Sequence, residues 1–136
     1  MKRSYVIVFL VLVWSCDYGD NVRSFNVVDA KEYNIQIQLA MKNAERWTLD
    51  PITISHKLFT AIADPRMLKI ELARKDRDSA TVIHIVEGFD DDSIEGVKRV
   101  IEFERVGEAW VIAEIKVGQR CWEGRGHRNY SGFPCS

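Results

Sequence analysis

Hydrophobic and polar positions in this chain follow a helical period first and a strand period afterwards. The helical period is clearest after Asp29, where apolar residues return every three or four positions and the residues between them are mostly polar. The apolar set comprises Tyr33, Ile37, Ala40, Met41, Ala44 and Trp47. We predict an amphipathic helix that begins around Ala30 and is capped by Asp29.

A second helix is predicted to begin at Pro51, because Asp50 can cap it and proline suits the first helical position. We expect it to run to about Ala63 and to stop at Asp64-Pro65, since the residue before a proline avoids the helical region. Its inner stripe consists of Ile54, Leu58, Ala61 and Ile62.

From Arg66 onward, apolar residues alternate with polar ones, as on a half-buried strand, except that residues 80–86 form a nearly continuous apolar run, as in the centre of a sheet. Four strands are predicted, over residues 66–73, 80–86, 97–106 and 110–117, and the last can extend towards Trp122. Helices followed by strands indicate an α+β fold, with two N-terminal helices packed on a four-stranded antiparallel meander. Cystatin-like and NTF2-like folds share this order of elements, which carries no function by itself.

The N-terminus has the composition of an export signal. Lys2 and Arg3 precede an uninterrupted apolar run over residues 5–14, which is much shorter than the roughly 20 residues that span a bilayer. The sequence Val13-Trp14-Ser15-Cys16 then resembles the lipobox of bacterial lipoprotein precursors, although Trp14 is larger than that position usually holds. The resemblance implies cleavage after Ser15 and lipidation of Cys16.

Three segments follow from this interpretation: a signal peptide over residues 1–15, a lipidated N-terminus and tether over 16–27, and one α+β domain over 28–136. The expected location is the periplasm or cell envelope, with a lipid anchor as the membrane contact. Asp17 resembles the inner-membrane retention signal of some lipoproteins. The alternative is an ordinary cleaved signal peptide, which would leave Cys16 a free thiol.

Cys121 and Cys135 bracket a glycine-rich tail that has little periodic apolar content. A disulfide would hold this tail in place, and it would leave Cys16 as the odd cysteine that lipidation explains. A zinc site built from Cys121, His127 and Cys135 is the alternative, but zinc sites usually contain closely spaced cysteine pairs. We predict the disulfide, with no metal and no cofactor.

The same tail offers a candidate binding surface, made of basic and aromatic residues among glycines. Its members are Arg120, Trp122, Arg125, His127, Arg128 and Tyr130. Such residues suit an anionic ligand or an envelope protein partner. The alternative is that they pack the loop onto the sheet.

A cluster of carboxylates precedes the third strand, at Glu87, Asp90, Asp91, Asp92 and Glu95. It lacks the ligand spacing of an EF-hand calcium loop. A solvated turn capped by Asp92 or Ser93 is one interpretation. Ion pairing between this acidic turn and the basic tail is another.

The remaining residues indicate no reaction. The chain has 19 basic and 20 acidic residues, so the strongly basic composition of nucleic-acid-binding proteins is missing. His84 lies in an apolar strand as a hydrogen-bonded core residue would, and His56 is expected in solvent. The sequence contains no nucleophile elbow, P-loop, dinucleotide fingerprint or zinc-protease motif, and no catalytic residue is assigned.

Several C-terminal features together resemble small exported bacterial proteins of uncharacterised function. These are Asp91-Asp92-Ser93, the alternating strand over 97–105, Trp110-Val111-Ile112 and the tail from Arg120 to Cys135. We therefore expect a cell-envelope lipoprotein that acts as a small binding or structural module. The alternative is a secreted enzyme or inhibitor with an NTF2-like or cystatin-like cleft that uses His84 or His127.

Overall fold

A computed structural model describes residues 19–60 and 62–136. The predicted signal peptide, Cys16, Asp17 and Ala61 lie outside the described residues. The elements are β1 (Asn26–Val28), α1 (Lys31–Lys42), α2 (Pro51–Phe59), β2 (Met67–Lys75), β3 (Ser79–Glu87), β4 (Ile94–Val106) and β5 (Ala109–Cys121). The predicted α+β class with two helices is confirmed.

The sheet is antiparallel and has five strands, in the order β1-β5-β4-β3-β2. The prediction of four strands was wrong, because β1 falls within the segment that we interpreted as a tether. Its three residues are all exposed, so no alternation of buried and exposed positions marked them as a strand. The strand pairs with the edge of β5, where Val27 lies opposite Lys116.

The chain before β1 is also packed on the sheet. Phe25 is buried against Gly118 of β5, where any side chain would overlap the phenyl ring. The Asp20 carboxylate accepts hydrogen bonds from Lys98 Nζ at 2.6 Å and from the Tyr130 backbone N–H at 3.0 Å. From Asp20 onward, the predicted tether is therefore part of the folded body.

The first helix begins and ends close to the prediction. The Asp29 carboxylate accepts the Lys31 backbone N–H at 2.9 Å, but the N-cap position belongs to Ala30, one residue later, so Asp29 is not the N-cap that we predicted. Ile37 and Ala40 of the predicted stripe are buried. The helix ends at Lys42, and Trp47 lies in a separate 3-10 turn, Arg46–Leu49.

The second helix begins as predicted and ends early. Asp50 caps it by accepting the Thr53 backbone N–H at 2.8 Å, and Pro51 occupies its first position. It ends at Phe59, short of the expected Ala63. The next residue, Thr60, lies outside the helix, and its side chain contacts His84 of β3.

The main core lies between the two helices and one face of the sheet, which we call the inner face. Its buried apolar residues are Ile37, Ile54, Phe59, Ala80, Val82, Ile101, Phe103, Trp110, Ile112 and Ile115. The opposite, outer face carries a smaller cluster of Phe25, Ile85 and Tyr130. That cluster is covered by the N-terminal segment and by the C-terminal tail.

The tail is closed by a disulfide between Cys121 and Cys135, whose Cα atoms are 5.4 Å apart, as predicted. The hairpin between β4 and β5 is also as predicted, with Val106 paired to Ala109 and Gly107 at a φ of 64°. No helix in the described ranges is both long and apolar enough to cross a membrane.

Candidate binding site beneath the disulfide loop

Two buried glutamates lie at the centre of the candidate site. Glu87 is the last residue of β3 and is 6% exposed, and Glu95 is near the start of β4 and is 3% exposed. The loop between them is short, and a bulge between Ile94 and Gly96 interrupts the pairing of β4 with β5. The strand end and the bulge hold two carboxylates close together on the outer face. Burying both is favourable only if cations pair with them.

Three arginines surround this pair of carboxylates. Arg120 of β5 contacts Glu87 at 2.6 Å and Glu95 at 3.0 Å. Arg66, just before β2, contacts Glu95 at 2.6 Å and Glu87 at 3.1 Å. Arg128 of the tail contacts Glu95 at 2.6 Å and also donates to the Cys121 carbonyl. We call these five residues the arginine–glutamate cluster.

Tyr130 completes the cluster from the tail side. Its buried phenol donates a hydrogen bond of 2.7 Å to Glu87 Oε1. Burial, together with this bond to an anion, raises the pKa of Tyr130 above its ordinary value. The phenol therefore acts as a neutral donor that fixes the tail to β3.

The charges of the cluster stabilise one another. Burial opposes ionisation of Glu95, but the hydrogen bonds from Arg66 and Arg128 outweigh it, so the pKa of this carboxyl lies below its ordinary value. The hydrogen bond to Glu95 correspondingly raises the pKa of Arg66. Glu95 is therefore ionised at neutral pH, and the cluster binds the tail through charge-assisted hydrogen bonds.

The structure divides the predicted binding residues into a packed layer and an exposed layer. Tyr130 and most of Arg120 are covered, because they contact the buried glutamates. Arg125 and Arg128 keep about half of their side chains exposed, at 47% and 49%. Trp122 is partly exposed, and its indole N–H donates to the Asp91 carbonyl at 2.8 Å.

Arg66 joins the exposed layer although sequence reasoning did not single it out. Its guanidinium lies 5.4 Å from the centre of the Trp122 ring, and 52% of its side chain is exposed. No local motif marks this arginine, because its partners are more than twenty positions away. We call Arg66, Trp122, Arg125 and Arg128 the loop surface.

Of the two interpretations of the acidic turn, the structure shows ion pairing with the basic tail. Glu87 and Glu95 make the contacts above, and Asp92 lies 3.6 Å from Arg125. The expected turn cap was wrong by one residue. Asp91, rather than Asp92 or Ser93, accepts the backbone N–H groups of Ser93 and Ile94, both at 2.8 Å, because its carboxylate lies at the start of the turn.

His127 contacts other residues of the tail through both of its ring nitrogens. Its Nδ1 lies 2.8 Å from the Asn129 carbonyl and its Nε2 lies 2.9 Å from the Phe133 carbonyl. Ligand atoms of Cys121, His127 and Cys135 lie within 4.8 Å of one another, as a zinc site requires. With the two cysteines joined in the disulfide, however, neither sulfur is the thiolate that binds zinc.

The other histidines lie where the sequence places them. His56 is exposed, and His84 is buried with its Nε2 3.2 Å from the Thr60 hydroxyl. A groove of about 440 Å³ lies at the other end of β4 and β5, lined largely by Met41, Ala44, Thr48, Leu49, Val106 and Ala109. This groove contains neither histidine.

Comparison of the chain with protein-family models, with curated proteins and with solved structures found no match.

Proposed function

We propose that this protein is an exported lipoprotein, anchored through Cys16, whose domain binds an acidic envelope protein through the loop surface. The main observation that supports this proposal is that three guanidinium groups share only two buried carboxylates, Glu87 and Glu95. Within this cluster one positive charge is left in excess. Arg66 and Arg128 each keep about half of their side chains exposed, and Arg66 lies beside the Trp122 ring.

The geometry supports binding because the surface is already ordered. The tail is held on the sheet by the disulfide, by ion pairs and by the Tyr130 hydrogen bond. These side chains would therefore lose little conformational entropy when a partner binds them. Arginine and tryptophan are also the side chains most often found to dominate protein interfaces.

The proposed location rests on the N-terminal pattern and on cysteine use. The resemblance to a lipobox supports lipidation of Cys16, and the Cys121–Cys135 disulfide suits an oxidising compartment. Intact mass of the protein from its native membrane fraction tests this part. An acylated cysteine at the mature N-terminus is expected, and an unacylated chain that retains Cys16 would contradict it.

The alternative function, an enzyme or inhibitor with an NTF2-like or cystatin-like cleft, requires a histidine next to a carboxylate. Both ring nitrogens of His127 already contact backbone carbonyls. In the described part of the chain, His84 makes its side-chain hydrogen bond to Thr60 and contacts no carboxylate. These contacts favour the binding function.

The binding proposal can be tested by photo-crosslinking in the lipidated chain. A crosslinking residue at Glu123, which is exposed beside Trp122, is compared with one at Lys42, which is exposed at the end of α1 on the other side of the sheet. We expect Glu123 to yield one adduct that Lys42 does not. The charge reversal Arg125→Glu should abolish it, whereas the matched reversal Lys42→Glu should not. Equal adducts from both positions, or an adduct insensitive to Arg125→Glu, would exclude the loop surface.

A further inference from the structure

His84 and Arg99 lie directly opposite each other on neighbouring strands, and both point to the inner face of the sheet. They are paired in the register of β3 and β4. The Phe59 ring at the end of α2 covers both, at 5.4 Å from the Arg99 guanidinium carbon and 6.0 Å from the His84 ring. The two side chains therefore share one space between α2 and the sheet.

Arg99 places a positive charge at the edge of this space, since its side chain is only half-buried. Its Nη1 is buried and, among the described residues, has neither a hydrogen-bond partner nor a carboxylate within ion-pair distance. Burial lowers the pKa of Arg99, but a guanidinium remains charged in proteins. This situation differs from the arginine–glutamate cluster, where every arginine contacts a carboxylate.

His84 adds an unused nitrogen to the same space. The side chain is fully buried, and its Nδ1 has no partner among residues 19–60 and 62–136, while Nε2 contacts the Thr60 hydroxyl. When Thr60 donates to Nε2, the proton of the neutral imidazole sits on Nδ1, which then becomes a second buried donor. Buried donors without acceptors are rare in folded proteins because each one costs free energy.

We propose that Arg99 and His84 form an internal site for a small oxyanion, most simply the carboxylate of an apolar acid. A carboxylate would accept from Arg99 Nη1 and from His84 Nδ1 and would neutralise the guanidinium charge. The apolar body of the ligand is inferred from the neighbours in the register, since Ile70 lies beside His84 and Val117 beside Arg99. This site is separate from the loop surface and does not depend on the function proposed for it.

The test measures thermal stability and the His84 ring resonances of the whole mature protein during titration with butyrate, inorganic phosphate or chloride at matched ionic strength. Butyrate should raise the melting temperature and shift the His84 signals, because a ligand that binds only the folded state stabilises it. A matching response to phosphate would assign the site to oxyanions in general. A response to chloride equal to that of butyrate, or no response to any anion, would overturn the proposal.

Two variants assign the effect to this site. Arg99→Met removes the half-buried guanidinium and should abolish the butyrate response, whereas Arg105→Met, which removes an exposed arginine of the same strand, should retain it. If Arg99→Met does not fold, His84→Gln provides the second measurement and should weaken butyrate binding severalfold. Unchanged butyrate binding in either folded variant would contradict the site.

Discussion

Tyr130 and Glu87 are 43 positions apart in the sequence and are joined by a hydrogen bond of 2.7 Å between two buried groups. The tyrosine belongs to the disulfide-closed tail and the glutamate to the end of a central strand. The bond shows that the tail is built into the outer face of the sheet. It also places a neutral donor beside a carboxylate that two arginines already contact.

The substitution Tyr130→Phe tests the contribution of this bond. It removes only the hydroxyl, so the buried carboxylate loses one donor while the ring can still pack against Phe25. We expect a loss of about 1–2 kcal/mol in the free energy of unfolding, measured by urea denaturation. Tyr33→Phe is the control, because the Tyr33 hydroxyl makes no hydrogen bond to a described residue. Equal effects of the two substitutions would contradict a specific role for the bond to Glu87.

Glu95→Gln should lower the free energy of unfolding more than Tyr130→Phe does, because three arginines contact this carboxylate. Removing one partner of a buried ion cluster typically costs about 3–5 kcal/mol, since the remaining charges stay buried. The comparison variant is Glu104→Gln, which changes an exposed glutamate on the same strand and should have little effect.

The pH dependence of Glu95→Gln provides a second readout. The pKa of Glu95 in the folded state lies below the ordinary value of 4.5, so its contribution is present above that pH and is lost as the pH falls through the folded-state pKa. The variant should therefore lose less stability than the wild-type protein when the pH is lowered below 4.5. A wild-type-like acid transition in the variant would argue against this assignment.

The sequence predicted the parts of the fold that depend on local periodicity. Both helices begin within a residue of the predicted start. Asp50 caps the second helix, and Asp29 contacts the first helix from the residue before its N-cap. The strands after Arg66 were predicted because each of β2 to β5 contains at least four residues that are alternately apolar and polar or, in β3, almost continuously apolar. β1 was missed because three exposed residues have no pattern, and its position depends on an edge of β5 that sequence reasoning could not locate.

The candidate site was predicted only in part, for a similar reason. The composition of the tail and of the acidic turn indicated opposite charges that could pair, and the structure shows that pairing. Arg66 was missed because nothing near it in the sequence indicates Glu87 or Glu95 as its partner. The exposed layer could not be distinguished from the packed layer either, since Arg120 and Arg128 are chemically identical and differ in exposure only because Arg120 lies on β5 and Arg128 lies in the tail.

The disulfide should contribute to stability mainly by restricting the unfolded chain. Cys121 and Cys135 are 14 positions apart, and closing a loop of that size is worth about 3 kcal/mol in the simple entropy model. Cys135→Ser should lower the melting temperature under oxidising conditions, while far-ultraviolet circular dichroism retains the signal of the sheet. Reducing agent should lower the melting temperature of the wild-type protein and leave that of the variant unchanged. An unchanged melting temperature in Cys135→Ser would mean that the ion pairs alone hold the tail.

His84 should make the protein less stable as the pH falls from 6.5 towards 4. Burial, with a smaller effect of the neighbouring Arg99, lowers the pKa of His84 from 6.5 to about 4 in the folded state. In that window the unfolded chain binds the proton and the folded chain does not, so stability is fully present above pH 6.5 and declines below it. The decline attributable to His84 is at most about 3 kcal/mol.

The measurement is the free energy of unfolding against pH for the wild-type protein and for His84→Gln, in buffers that contain neither carboxylate nor phosphate. The variant has no proton to bind at this position, so its curve should be flatter between pH 6.5 and 4. His56→Gln removes an exposed histidine and should keep the wild-type slope. If His84→Gln and His56→Gln give parallel curves in this window, His84 takes up its proton equally well in the folded and unfolded states. The buried position beside Arg99 would then exert no effect on its charge.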